Sequence, residues 1–176
     1  HIAAVGYDLY CQMVTEAVSE MKGEPAPNQP TEIKVDVPTG SFLTTDYVEK
    51  EELRREAYRR LAGVTTQAEV DDIRTEWDDR YGPLPAPAAA LMQVGYLRAE
   101  CHRLGINDIQ ISGSASTGGS AKLAPLELKL SETMRLRRLS KGAKYKEDLG
   151  QLVVPLPRGT DPSTFLANFL ADLVDP

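Results

Sequence analysis

The chain has 176 residues, 41% hydrophobic and 26% charged, a length and composition that support one domain with its own core and require no disulfide or metal staple. With 20 Lys and Arg against 26 Asp and Glu, the net charge is −6, which excludes a domain-wide field drawing in nucleic acid or an anionic membrane; any such contact has to be local. No apolar run of about 18 residues and no signal-peptide pattern occur, so the chain is expected to be soluble and cytoplasmic, without a membrane partner.

The chain opens on "HIAAVGYDLY", without a methionine and directly in structured-looking sequence, as expected of a domain cut from a longer protein. Tyr10, Met13, Val14, Ala17, Val18 and Met21 follow helical spacing and Gly23 closes that helix. "EPAPNQP", 24–30, is an extended Pro-rich linker, so residues 1–30 read as a lead-in helix and linker and 31–176 as the main domain. Cys11 and Cys101 each fall on or beside an apolar helical stripe, which predicts reduced core thiols.

"EIKVDV", 32–37, alternates apolar and charged residues as a half-buried strand does, and Pro38 ends it. Residues 49–61 are a charged helix with Leu53, Ala57 and Leu61 on one side and Glu51/Arg55 and Glu56/Arg60 as i, i+4 pairs. The next helix, 66–81, carries Val70, Ile73, Trp77 and Tyr81 on one stripe and stops at Gly82 and Pro83. A third, 87–104, places Ala90, Val94, Leu97, Cys101 and Leu104 on its apolar face, and Gly105 caps it.

Beyond it come strand-like runs at 107–112 and 122–128, joined by "SGSASTGGSA" as a flexible long hairpin tip. A basic helical piece at 131–140 and strands near 143–146 and 151–155 follow. A closing helix, 161–174, has Asp161 as N-cap, Pro162 at its first position, and Phe165, Leu166, Phe169, Leu170 and Leu173 inward. Helices in the N-terminal half and a small, mostly antiparallel sheet in the C-terminal half give the α+β class.

"STGGSAK" lacks the spacing of a phosphate-binding loop, His102 has no partner at metal-ligand spacing, and no Ser, His and Asp set stands out. No catalytic site, cofactor or metal is therefore expected within the chain. Two charged constellations remain. The first is "MRLRRLSKGAKYK", 134–146, with Arg135, Arg137, Arg138, Lys141, Lys144 and Lys146; it is a candidate nucleic-acid contact, although the plainer reading, a solvated helix and strand edge, is favoured by the acidic surroundings. The second is the end of the 66–81 helix, where Glu76, Asp78 and Asp79 sit against the negative end of the helix dipole with Arg80 as the one local offset, each carboxylate costing about 0.3–1 kcal/mol.

At about 100° per residue, Asp72, Glu76 and Asp79 fall in a band roughly 100–160° from Trp77, an acidic ridge suited to a basic partner. Composition alone makes such a ridge a solubilising surface, and the dipole mismatch is what singles it out.

"GYDLY" near the start, "DYVEKEELRREAYRRLA" in the middle and "EWDDRYGPLP" in succession resemble the C-terminal domain of the bacterial transcription-repair coupling factors, over about residues 1–105. The specific part is Y-x-R-[IL] at Tyr58 to Leu61 followed by E-x-x-D-R-[FY]-G-x-L-P at Glu76 to Pro85.

The resemblance implies a parent that is a multi-domain ATPase translocating on DNA, displacing stalled RNA polymerase and recruiting the repair protein UvrA, its motor lying N-terminal to this region. For the domain itself it implies a non-catalytic, autoinhibitory role, masking the parent's UvrA-binding module. Glu76 and Asp79 match the family's acidic contacts, with Asp72 on the same ridge and Arg80 next along the helix as further partner-binding candidates, while Asp78 departs from a position that is apolar in relatives. A DNA-contacting module through Arg135, Arg137, Arg138 and Lys141 and a purely structural appendage of the motor are the alternatives, and a homodimer of the severed domain is conceivable.

Overall fold

A computed structural model describes residues 34, 35 and 40–176. The helix expected at Tyr10–Met21, the Pro-rich linker and Cys11 lie outside these residues. Among the described residues the two-residue strand β1 (Lys34–Val35) is followed by three helices, α1 (Glu51–Ala62), α2 (Gln67–Tyr81) and α3 (Ala86–Leu104). The hairpin β2 (Asp108–Ser114) and β3 (Gly118–Ala124) follows, then α4 (Leu130–Leu139), β4 (Lys144–Lys146), β5 (Gln151–Leu156) and the closing helix α5 (Pro162–Leu173). The strands run in the order β1-β2-β3-β5-β4, antiparallel throughout except that the two-residue β1 (Lys34–Val35) pairs parallel with Asp108 and Ile109. The expected α+β class and its closing helix are therefore the observed ones; of the 32–37 run, Lys34 and Val35 are described, and both are in the sheet.

The period-2 alternation of the strands builds one buried sheet face. Register aligns Ile109, Leu123, Leu152 and Tyr145 across the four antiparallel strands, and Ala121 with Val154 one row further along. These side chains join the helices in a single hydrophobic cluster that includes Leu97, Leu166 and Leu170. The opposite row, Gln110, Lys122, Val153 and Lys144, is solvent-facing or half-buried.

Helix α3 is the spine, packed by α1, α2 and α5. One stripe is legible in its sequence, yet three packing neighbours bury Ala88, Leu91, Met92, Ala99 and even Glu100 as well as Val94, Leu97 and Cys101. Gly95 makes the α1 crossing close: a Cβ there would stand 2.7 Å from Leu61 Cδ1. Burial pushes the Cys101 thiol up to about 12, which leaves it an inert core side chain.

Two expectations need correction. The serine- and glycine-rich stretch 112–121 is not a flexible tip, because the β2–β3 ladder continues to Ser114 opposite Gly118 and leaves Ala115–Thr117 as a tight turn. The turn is pinned from outside: Gly159 N–H donates to the Ala115 carbonyl at 2.7 Å and Arg158 Nε to that of Thr117 at 3.1 Å. The strand expected to run to 128 stops at Ala124, since Pro125 has no N–H to give the ladder.

Candidate functional site

Helix α2 carries the acidic side chains, and both its ends are fixed. At the start, Thr66 Oγ1 accepts from Glu69 N–H at 3.3 Å while the Glu69 carboxylate accepts from Thr66 N–H at 3.4 Å, a reciprocal cap, and from Thr65 N–H at 2.7 Å as well. The Thr65 N–H is also the main cause holding the Glu69 carboxyl below its ordinary range. At the other end Gly82, at φ +86°, stops the helix. The Tyr47 hydroxyl lies 2.9 Å from the Gly82 carbonyl and 3.2 Å from that of Trp77, so the loop before α1 is tied to the last turn of α2. Burial, reinforced by Asp78, pushes the Tyr47 hydroxyl above its usual pKa.

Inward, Val70, Ile73 and Trp77 are buried and Tyr81 packs edge-on against Tyr47 with ring centroids 5.7 Å apart, as the stripe predicts. Outward, Asp72 and Asp79 are exposed. Glu76 is not a free member of the ridge. Its carboxylate accepts from Arg60 Nη1 on α1 at 2.6 Å and from Arg80 Nη1 at 3.2 Å. The Arg60 hydrogen bond is the first cause holding the Glu76 carboxyl below the usual carboxylate range, with Arg80 adding to it.

The dipole mismatch is thus offset by a second cation delivered from the neighbouring helix. Sequence spacing assigns Arg60 to Glu56; the packing of α1 on α2 turns it to Glu76, sixteen residues away, a partner that no local periodicity can signal. The seam between the two helices, lined by Leu53, Ala57, Arg60, Glu76, Trp77 and Arg80 among others, encloses about 10 Å³, room for a single water at most. This flank can therefore meet another surface but cannot hold a small molecule within the seam.

The basic segment divides in the same way. Arg135 Nη2 pairs with Asp175 at 2.7 Å and its Nη1 reaches the carbonyls of Asp172 and Leu173, so it closes the end of α5. Arg137, Arg138 and Lys141 remain exposed, with Lys144 and Lys146 on the short edge strand. His102 is on the surface of α3. An open groove of about 540 Å³ runs past it, among residues including Thr66, Gln67, Glu100, Arg103 and Ala171. Of its polar groups, Gln67 Nε2 pairs with Glu100 at 2.6 Å and Arg103 Nη2 with Glu100 at 2.6 Å. Among the described residues no group of His, Cys, Asp and Glu is placed to bind a metal, and no helix is long and apolar enough to cross a membrane.

Two helices packed on the spine α3, followed by a mostly antiparallel sheet and a closing helix, define the α+β fold also seen in the crystal structure of a C-terminal domain of transcription-repair coupling factor. That likeness has a TM-score of 0.61 over 81% of this chain and 89% of the solved one, at 14% identity, and concerns the fold. Residues 37–129 match the family model of the TRCF domain, and the chain belongs to that family. It is 36% identical over 168 residues to the transcription-repair-coupling factor of Mycobacterium bovis, covering 90% of this chain. To that of Staphylococcus aureus it is 34% identical over 114 residues, covering 64% of this chain. The chain spans 13% of the length of the mycobacterial relative and 10% of the staphylococcal one.

Proposed function

We propose that residues 31–176 form a non-catalytic regulatory domain of a DNA-repair coupling factor, and that the α2 flank holds the UvrA-binding module of the same protein masked. The parent would be an ATP-dependent DNA translocase that acts on stalled RNA polymerase and recruits UvrA in the cytoplasm. The observation that carries the reading is the state of the flank. Asp72 and Asp79 point to solvent on either side of a Glu76 carboxylate fixed between two arginines. Among the described residues, neither aspartate is held in an ion pair.

A mask that has to open cannot be a large apolar surface. Exposed ion pairs of about 0.2–1 kcal/mol each, tethered in one chain, can hold and release. Glu76 takes part less as a free charge than as the fixed centre of the row, with Arg60 and Arg80 setting where its carboxylate stands.

The test is UvrA binding by the full-length protein. Asp72→Arg with Asp79→Arg, which breaks no ion pair inside the domain, raises UvrA binding if the flank is the mask; Arg60→Ala serves as the control for the internal clamp. Unchanged binding in a folded Asp72→Arg/Asp79→Arg protein removes the masking role from this flank.

A further inference from the structure

Helix α4 is fastened along one side and bare along the other. On the fastened side the Glu132 carboxylate accepts from Lys129 N–H at 2.7 Å, Leu136 is in the core, and Arg135 closes the end of α5. Taking Leu130 as reference and about 100° per residue, Met134 and Arg137 fall within roughly 40° of it and Arg138 at about 80°, whereas Glu132 and Leu136 lie about 160° and 120° away. On the bare side Leu130 is 79% exposed and Met134 60%.

Single exposed apolar side chains are ordinary, but two large ones a turn apart on a rigidly held helix are not scattered. Arg137 and Arg138 continue the same side by one turn and Lys141 follows the helix end, all three exposed. The one carboxylate of α4, Glu132, is spent on the helix start. The result is a stripe, apolar at its beginning and cationic at its end, on a chain whose net charge is −6.

We infer that this side of α4 docks an acidic amphipathic helix of a protein partner, its apolar side chains against Leu130 and Met134 and its carboxylates against Arg137, Arg138 and Lys141. Charge complementarity selects the acid, and the apolar pair selects protein over nucleic acid. DNA phosphates would satisfy the three cations and leave Leu130 and Met134 without apolar contact. The α2 flank of a second copy fits no better, because Asp72 and Asp79 offer carboxylates with no large hydrophobic side chain exposed on α2. A helix with anchors at i and i+4 and acid one turn on meets both halves, and the flexible thioether of Met134 adapts to such anchors. This surface is separate from the α2 flank and does not depend on its role.

The experiment uses the whole 176-residue chain with methyl-labelled methionines, the buried Met92 reporting on the fold and Met134 on the stripe. Three probes are titrated: a helical Leu/Glu/Ala peptide of about 18 residues, its equally charged twin with every Leu replaced by Ser, and a duplex DNA of similar length.

The expected result is saturable movement of the Met134 methyl with the first peptide and an unmoved Met92. Binding falls at least about tenfold for the twin, for Leu130→Ser with Met134→Ser, and for Arg137→Glu with Arg138→Glu. Equal binding of the twin would mean charge alone, and tighter binding of the duplex would make the stripe a nucleic-acid contact. Movement of Met134 with protein concentration alone would make it a self-association surface, and no saturable binding would leave it without a helical partner. Each of these four overturns the proposal.

Discussion

Arg60 and Glu76 join α1 to α2 across an Nη1–Oε2 distance of 2.6 Å, and Arg80 completes the pair from one turn further along α2. The contact places a second cation where the dipole of α2 is negative, so the acidic helix end is tolerated by tertiary packing rather than by its own sequence. Replacing Arg60 by Ala is expected to raise the Glu76 carboxyl toward its ordinary range and to lower stability by about 0.2–1 kcal/mol, the range for a largely solvated pair. Because the folded-state pKa of Glu76 is depressed, this stability is present above its unfolded pKa and is lost as pH falls through the folded value. Denaturation of wild type and Arg60→Ala across that acid range checks it: the difference between them should vanish at the acid end.

Tyr47 ties the loop before α1 to the end of α2 through the Trp77 and Gly82 carbonyls. Tyr47→Phe keeps the ring packing on Tyr81 and removes the donor. The expected cost is about 0.5–1.5 kcal/mol, with faster amide exchange confined to the last turn of α2. Faster exchange throughout the domain would instead mean that the loop supports the whole core.

At the helix start, Thr66→Ala removes the acceptor for the Glu69 N–H and is expected to cost about 0.5–2 kcal/mol. The Glu69 carboxyl is itself held low by the Thr65 and Thr66 N–H groups, so its share of the cap is present above its unfolded pKa and lost as pH falls through the lowered folded one. Chemical denaturation of Thr66→Ala and Glu69→Gln near neutral and acid pH measures both halves. A Glu69→Gln effect that does not shrink toward acid would contradict the assignment.

The crossing of α1 on α3 rests on Gly95. A methyl group there meets Leu61 Cδ1 at 2.7 Å, with Leu61 Cγ at 3.3 Å and Val70 Cγ1 at 3.4 Å. Gly95→Ala is therefore expected to destabilise by about 1–3 kcal/mol despite the better helix propensity of alanine. The cost should shrink in a Leu61→Ala background, and a double-mutant cycle by urea denaturation reads the coupling directly. Additive effects would show that the strain is taken up elsewhere.

Cys101 gives a reporter on opening of the core. Its thiol is buried and pushed up to about 12, so thiolate is scarce at neutral pH. In a Cys11→Ser protein, modification by a thiol reagent should follow global unfolding, accelerating with denaturant in step with loss of the buried Trp77 fluorescence. Rapid labelling under native conditions would mean that the C-terminal half of α3 opens locally.

The patterns that depend on neighbours in sequence were readable before any fold. The 3.6-residue spacing of Val70, Ile73 and Trp77, the stop at Gly82 and Pro83, the Asp161 cap and the α+β order all follow from local rules, and all are present. So was the outward placement of Asp72 and Asp79, because a buried Trp77 fixes the rotation of α2. What tertiary structure decided were relationships between residues far apart in the chain. These include the turn of Arg60 from Glu56 to Glu76, the use of Arg135 to close α5, the burial of α3 on nearly every side, and the ordering of a Ser/Gly turn by Arg158 and Gly159. Local composition says what a side chain can do; which of its possible partners stands within about 3 Å is set by how the elements pack, and charge and hydrogen bonding act at that range.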